Sequence, residues 1–372
     1  MIRQFQVPTR IHAGVGAATE AGIVLERLGA RRVLAVVDRG LEKAGLLARL
    51  LDGAGVRDIV VDVVLIDVNP APAPVEEAAA RAREAGVDVV LGIGGGSALG
   101  AAKAIALLQT NDVPLMGLEG ADRAAHRPVP TVAIPTTAGS GSEVSNALVL
   151  HEPGLVREIV VRGFGYEPVV AILDGTVLRD LPRDPLVFAA LDALTHAFEA
   201  LWARGGNVFT DACALHAARE IFDVLPAAAA GRADGSNSSG DNDALLQRLL
   251  EASSLANLAC GNSGLALVHA LSSSPAVAVA HGLQNGILLP HVAGFNRETL
   301  SEPAEDLVDR LPELYDSIAF DAQFEDGVAD ASAMIDASRG HPFRINNRRD
   351  ATDEQLFELL RQAGSRDLVR AR

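Results

Sequence analysis

Four side chains in the second half of the chain, Asp192, His196, His269 and His281, have the donor types of a transition-metal site. Asp192 and His196 are spaced i, i+4, so on a helix they share one face. His269 stands in Leu267-Val268-His269-Ala270-Leu271, and His281 opens His281-Gly282-Leu283-Gln284-Asn285. One carboxylate and three imidazoles can hold a divalent transition metal and leave a position open for substrate. An enzyme is therefore the leading expectation. Each residue alone is weak evidence, because an Asp–His pair at this spacing also suits a surface ion pair and a lone histidine is usually structural. The apolar neighbours Leu191, Ala193, Leu194, Ala197 and Phe198 argue against an exposed surface. His126, His151 and His216 read as structural or surface residues, His291 as a supporting one, and His341 carries no assignment.

A second group of residues has the chemistry of a phosphate and ribose site. Gly92-Ile93-Gly94-Gly95-Gly96-Ser97 follows a strand-like run and precedes a helical stretch, Ala98 to Leu108. Glycines at a helix N-terminus expose backbone N–H groups and the positive end of the helix dipole, which suits a pyrophosphate. Tight strand–helix turns also need glycine, so the cluster is not decisive by itself. Asp38 ends another strand-like run. Its carboxylate suits an adenosine ribose and would repel a 2′-phosphate, which favours NAD over NADP; capping the next turn is an equally good reading. Asp38 precedes the glycine loop, whereas in the usual dinucleotide fingerprint an acid follows it by roughly 20 residues. A third segment, Pro135-Thr136-Thr137-Ala138-Gly139-Ser140-Gly141-Ser142-Glu143, carries hydroxyls around two glycines and suits phosphate or nicotinamide. Glu143 reads as a helix N-terminal acid, and Lys103 as a solvated helix residue.

These residues must be held by two kinds of architecture. The first half alternates apolar strand-like runs, at 32–38, 87–93 and 131–134, with Ala/Glu/Arg-rich helical stretches such as Val75 to Ala85. That alternation implies a parallel sheet covered by helices. From about Pro185 onward helical periodicity dominates, so the boundary is placed close to Pro182. All four donors then fall in the helical part, the glycine loops in the α/β part, and a cleft between the two is expected to unite them. The polar segment from Gly231 to Asp243 reads as a surface insertion between two helices.

Composition narrows the classes. With 372 residues the chain is long enough for two domains. A formal net charge of −16 argues against nonspecific nucleic-acid binding and anionic membrane surfaces. Aromatics are only 4%, so the cores must rest on Ala, Val, Leu and Ile. Two cysteines, Cys213 and Cys260, do not make a disulfide framework and suggest a reducing compartment. The N-terminus shows no signal-peptide pattern and no apolar stretch is long enough to span a membrane. A cytoplasmic protein is expected.

Taken together, Gly94–Ser97, Pro135–Glu143, Asp192-Ala193-Leu194-Thr195-His196, and His281-Gly282 with Leu288-Leu289-Pro290-His291 resemble the iron-containing (group III) alcohol dehydrogenase family over nearly the whole chain. The resemblance implies an α/β N-terminal dinucleotide-binding domain, residues 1–182, and an all-α C-terminal metal-binding domain, residues 183–372. This is the dehydroquinate synthase-like architecture. It implies NAD(P)-linked interconversion of a small alcohol and its aldehyde or ketone, with Fe²⁺ or Zn²⁺ acting as a Lewis acid. By motif position the metal ligands would be Asp192, His196, His269 and His281. The cofactor contacts would be Asp38, Gly95, Gly96, Ser97, Thr136 and Thr137, with Ser142 and Leu178 as weaker candidates. A homodimer is expected.

Three departures stand out. Ser273 occupies a position where many family members carry a second histidine, thought to relay protons. The interval from His269 to His281 is two residues shorter than is usual. Gly100 replaces an Asp and resembles the maleylacetate reductase branch. A reductase of that type is one alternative function, and a non-catalytic dinucleotide-binding relative is another.

Overall fold

The computed structural model describes residues 3–43, 45–152, 158–233, 240–274, 277 and 279–366. The chain forms two compact units. One spans Val7–Leu181, and the other begins at Pro182 and also takes in the N-terminal residues up to Gln6.

The first unit is built on six parallel strands: β1 (Arg10–Ala13), β2 (Val33–Asp38), β3 (Val60–Ile66), β4 (Val89–Gly94), β5 (Thr131–Pro135) and β6 (Val170–Leu173). Their spatial order is β1-β6-β5-β4-β2-β3. Residues Val33–Val37 are fully buried and every residue of β4 is buried. A parallel sheet covered on both faces demands such unbroken apolar strands, which is why they are legible as runs rather than alternations. The helices α1 (Pro72–Glu84) and α2 (Gly96–Thr110) are crossovers between parallel strands. α1 starts with proline in its first turn, where a missing N–H costs nothing. The chain passes from β2 outward to β3 and then returns to β4 on the other side of β2. Winding therefore reverses between β2 and β4, the place where α/β sheets bind ligands at their carboxyl ends. Asp38 and Gly94 are the last residues of those two strands. A small second sheet, Gly120–Ala121, Ile159–Arg162 and Ala147–Leu150, has no counterpart among the strand-like runs of the sequence; strands of four residues or fewer carry too little periodicity to announce themselves.

The second unit is helical. Its main elements are α3 (Arg183–Trp202), α4 (Val208–Ala233), α5 (Gly240–Ser263), the short α6 (Leu267–Ser272) and α7 (His281–Asn296), followed by helices of ten residues or fewer up to Gln362. The polar 231–243 segment thus ends one helix and begins the next, and its residues 234–239 lie outside the described residues. From Ala190 to Trp202 every residue of α3 is buried. A helix enclosed on all sides reads as apolar all round rather than amphipathic. Gly282 and Gly286 let α7 lie against it: a Cβ at Gly282 would overlap the Phe188 carbonyl, and one at Gly286 would stand 2.8 Å from a Leu191 methyl. That close approach brings His281 beside Asp192. Cys213 is half-buried and Cys260 buried, and neither is in a disulfide.

Candidate metal centre and dinucleotide loops

Asp192 and His196 lie one turn apart on α3 and are both 6% exposed. The Asp192 Oδ1 atom stands 3.7 Å from His269 Nε2 on α6 and 3.7 Å from His281 Nε2 at the start of α7. Donor atoms of these three residues all lie within 4.8 Å of one another. The short interval before His281 therefore does not keep either imidazole from the shared carboxylate. His196 stands beside the trio rather than within it. Its ring stacks on that of His269 with centroids 4.7 Å apart, and its Nδ1 is buried with no hydrogen-bond partner among the described residues.

Two residues not singled out from sequence complete this cluster. Asn285, one turn beyond His281 and fully buried, donates from Nδ2 to Asp192 Oδ1 at 2.7 Å; the same nitrogen lies 3.1 Å from His269 Nε2 and 3.0 Å from His281 Nε2. A carboxylate oxygen and two ring nitrogens converging on one place mark a point able to hold positive charge. Glu199, also on α3 and fully buried, meets His269 Nδ1 at 2.8 Å. The one signal in the sequence was its spacing, two turns after Asp192 on the same helical face. This donor set, carboxylate and imidazole around a cation-attracting point with an orphaned imidazole nitrogen beside it, fits a divalent transition metal.

The electrostatics follow from burial and close charges. Burial alone would push the Asp192 carboxyl up, but the imidazoles of His196, His281 and His269 outweigh it and hold it below the usual carboxylate range. Burial drives His196 down, to about 4. The same burial opposes charge on His269, yet the Glu199 and Asp192 carboxylates more than offset it and raise it to about 10. The remaining histidines lie elsewhere: His126 and His216 are exposed, His151 meets Glu158 at 3.1 Å, and His291 donates to the Ala322 carbonyl. His341 accepts from the Phe343 N–H at a helix start.

In the α/β unit the glycine loop joins β4 to α2. Gly94 has φ +153°, and a Cβ there would stand 2.6 Å from that of Ala98. Cβ atoms at Gly95 and Gly96 would press on Thr137 and Ser140, at 3.2 and 2.9 Å. The 136–142 loop thus rests directly on the N-terminal turn of α2, which has no side-chain cap. Thr136 N donates to Gly94 O at 3.1 Å, and the Ser97 hydroxyl accepts from Asn69 N at 3.1 Å. Asp38 Oδ1 accepts from Gly40 N at 2.7 Å, so the turn-capping geometry is present and uses that oxygen. Thr136, Ser142 and Leu178 are buried. Asp38 ends one strand, Gly95–Ser97 and Thr136–Ser142 lie at the carboxyl ends of the two strands next to it in the sheet, and Leu178 lies in the turn after β6.

Two expectations in this region are corrected. Lys103 is not solvated: it is 1% exposed and donates to the carbonyls of Ser142, at 2.9 Å, Ser145, at 3.0 Å, and Ala147. Burial lowers it to about 7, against the raising fields of Glu143 and Glu167. Glu143 does not start a helix. It is buried in the loop before Ala147–Leu150, where its field acts on Lys103. A long aliphatic stem lets Lys103 sit in an Ala-rich helix, and only the loop folded over it supplies the carbonyls.

A reversing parallel sheet with a glycine loop, plus a helical unit with a carboxylate–imidazole cluster, defines a metal-dependent nicotinamide dehydrogenase of two-unit design. A profile described as iron-containing alcohol dehydrogenase matches residues 8–175, and one described as the Fe-containing alcohol dehydrogenase family, C-terminal, matches 186–313. The chain belongs to the iron-containing alcohol dehydrogenase family. It is 33% identical to the probable alcohol dehydrogenase EutG of Salmonella typhimurium, covering 98% of this chain and 95% of that one. Identity to the NAD-dependent methanol dehydrogenase of Bacillus methanolicus is 31%, covering 83% and 80%. Its fold matches sulfoacetaldehyde reductase from Bifidobacterium kashiwanohense, solved in complex with NAD⁺, with a TM-score of 0.88 at 27% identity, covering 99% and 100%. The protein is an NAD(P)-linked oxidoreductase that interconverts an alcohol and its carbonyl counterpart.

Proposed function

We propose that Asp192, His196, His269 and His281 hold one divalent metal, iron or zinc, and that the enzyme uses NAD to interconvert small alcohols and aldehydes or ketones. The convergence of Asp192, His269 and His281 donors within 4.8 Å carries this reading, and His196 is included by its motif position and its stacking on the His269 ring. When bound, the metal supplies Lewis acidity toward the substrate oxygen. The chain's own residues do the rest. Asn285 orients the Asp192 carboxylate through its 2.7 Å hydrogen bond. Gly95, Gly96 and Ser97 offer the N-terminal turn of α2 to the cofactor's phosphates, and Thr136, Thr137 and Ser142 line the loop resting on it. Leu178 packs at the end of β6. Asp38 accepts from ribose hydroxyls and disfavours a 2′-phosphate, which supports NAD over NADP.

Ser273, in the place of a second histidine, donates to the Ala270 carbonyl at 2.8 Å and brings a hydroxyl where that histidine would bring an imidazole. Residues 1–182 and 183–372 are taken as the functional domains, and the working form as a cytoplasmic homodimer. Two cysteines outside any disulfide accord with a reducing compartment, and no helix among the described residues is long and apolar enough to cross a membrane.

Protein purified without an affinity metal, assayed with NAD and NADP on short primary alcohols and their aldehydes, tests the reading. Near-stoichiometric iron or zinc is expected, with NAD-linked turnover that a chelator abolishes and the metal restores. Turnover unchanged by complete metal removal would overturn it.

A further inference from the structure

We propose that Glu199 is a positioning residue that locks His269 in the one tautomer able to serve as a ligand through Nε2. The proposal rests on the metal-site reading above. Glu199 is 0% exposed and comes from α3, the helix that also carries Asp192 and His196. Its Oε1 accepts from Val268 N at 2.6 Å and His269 N at 3.2 Å; its Oε2 accepts from Ala266 N at 2.7 Å and lies 2.8 Å from His269 Nδ1. A carboxylate is an acceptor only, so the imidazole must keep a proton on Nδ1. Nε2 is then the nitrogen left to ligate once a metal displaces any second proton, and it is the one facing Asp192 Oδ1 at 3.7 Å. The Asn285 amide nitrogen stands 3.1 Å from that same nitrogen. The hydrogen bond on one ring nitrogen of a metal-binding histidine decides what the other can do.

Charge supplies a second reason for a carboxylate here. A divalent cation beside Asp192 alone would leave a net positive charge against the buried side of the cluster, and an unpaired buried charge is costly. Glu199 brings the local sum to neutrality without touching the metal. An amide could not do either job. Glutamine can present its oxygen to Val268 N and His269 N, but its NH₂ then faces Ala266 N and His269 Nδ1. The imidazole must turn its Nδ1 into an acceptor and move the proton to Nε2, the nitrogen aimed at the metal.

The test uses zinc-loaded full-length protein with ¹⁵N-labelled histidine. In the wild type, His269 is expected to carry its proton on Nδ1, with Nε2 bound. Competition against a chromophoric chelator should show Glu199→Gln weakening zinc retention by about 10–100-fold, while NAD affinity, read by calorimetry, stays unchanged. A wild-type His269 protonated on Nε2 overturns the proposal, and so does a folded Glu199→Gln protein that retains zinc as tightly as the wild type. If that variant does not fold, the wild-type spectrum alone decides. Wild-type protein that binds no zinc or iron overturns the metal-site reading and this proposal together; tight binding unaffected by Glu199→Gln overturns this proposal only.

Discussion

Between Gly92 and Ser97 the α/β unit offers backbone N–H groups and almost no side chain, whereas the helical unit buries two carboxylates and two imidazoles, with the exposed His281 at their edge. The first arrangement keeps a polar surface by leaving atoms out. Gly95 and Gly96 let the 136–142 loop lie directly on a helix terminus, Gly94 leaves room for Ala98, and each added Cβ has a neighbour in its way. The second keeps charge in a core by pairing it: every ionisable group among Asp192, His196, His269 and Glu199 has another in contact or in stacking range. The glycine loop should therefore be intolerant of gains, and the side-chain cluster intolerant of losses.

Removing a member of the cluster is the harshest way to challenge that contrast. His269→Ala takes away a donor and leaves Glu199 without its imidazole partner. Breaking a buried charge pair costs about 3–5 kcal/mol of stability, so a clear drop in the denaturation midpoint is expected. Metal content should fall close to zero. Losing several kcal/mol of Lewis-acid stabilisation corresponds to about a 10³-fold or greater fall in turnover. NAD binding should survive in whatever fraction remains folded. Full metal content in this variant would show that the cluster tolerates losses after all.

An addition to the loop probes the opposite arm. Gly96→Val would drive side-chain atoms into Ser140, whose Cβ lies only 2.9 Å from the place a Cβ at residue 96 would take. Overpacking of this kind costs about 1–3 kcal/mol, equivalent to roughly a 10-fold or greater loss of NAD affinity if the loop moves to accommodate it. Metal content should not change. Calorimetric NAD titration beside elemental analysis reads both quantities, and a parallel loss of metal would show that the two sites are not independent.

The mildest effect should come from Lys103, which has features of both regions: a charged side chain buried by carbonyls of a loop. Its folded-state pKa is lowered to about 7, from 10.5. Below about pH 7 both folded and unfolded chains hold the proton and the burial penalty is complete. Between about pH 7 and 10.5 the unfolded chain binds a proton that the folded chain does not, so this residue makes stability rise with pH across that window. Lys103→Met should flatten that rise in a urea denaturation series, with little change in metal content. An identical pH slope in both proteins would show that the loop keeps Lys103 charged throughout.

Local patterns in the chain are enough to place much of this. The unbroken apolar runs form β2, β4 and β5 within a residue or two at each end, and the glycines after β4 do open a helix. The i, i+4 spacing of Asp192 and His196 requires only that the segment be helical, which its composition makes plain. Asn285 and Glu199 escape a sequence reading because an asparagine or glutamate in a helix has no local mark that separates a solvated residue from one meeting imidazoles many residues away. Lys103 and Glu143 are misread for the same reason.

By itself the sequence determined three central strands, the helical character of the second half, where the glycine loop falls and which donor types are available, because these depend on neighbours one to four residues apart. Tertiary structure alone decided which of those donors meet and which charges leave water. Gly282 and Gly286 had to be seen against α3 before His281 came beside Asp192, and the loop had to close over α2 before Lys103 lost its solvent. Burial and ion pairing are properties of contacts between distant segments, and those contacts exist only once the chain has packed.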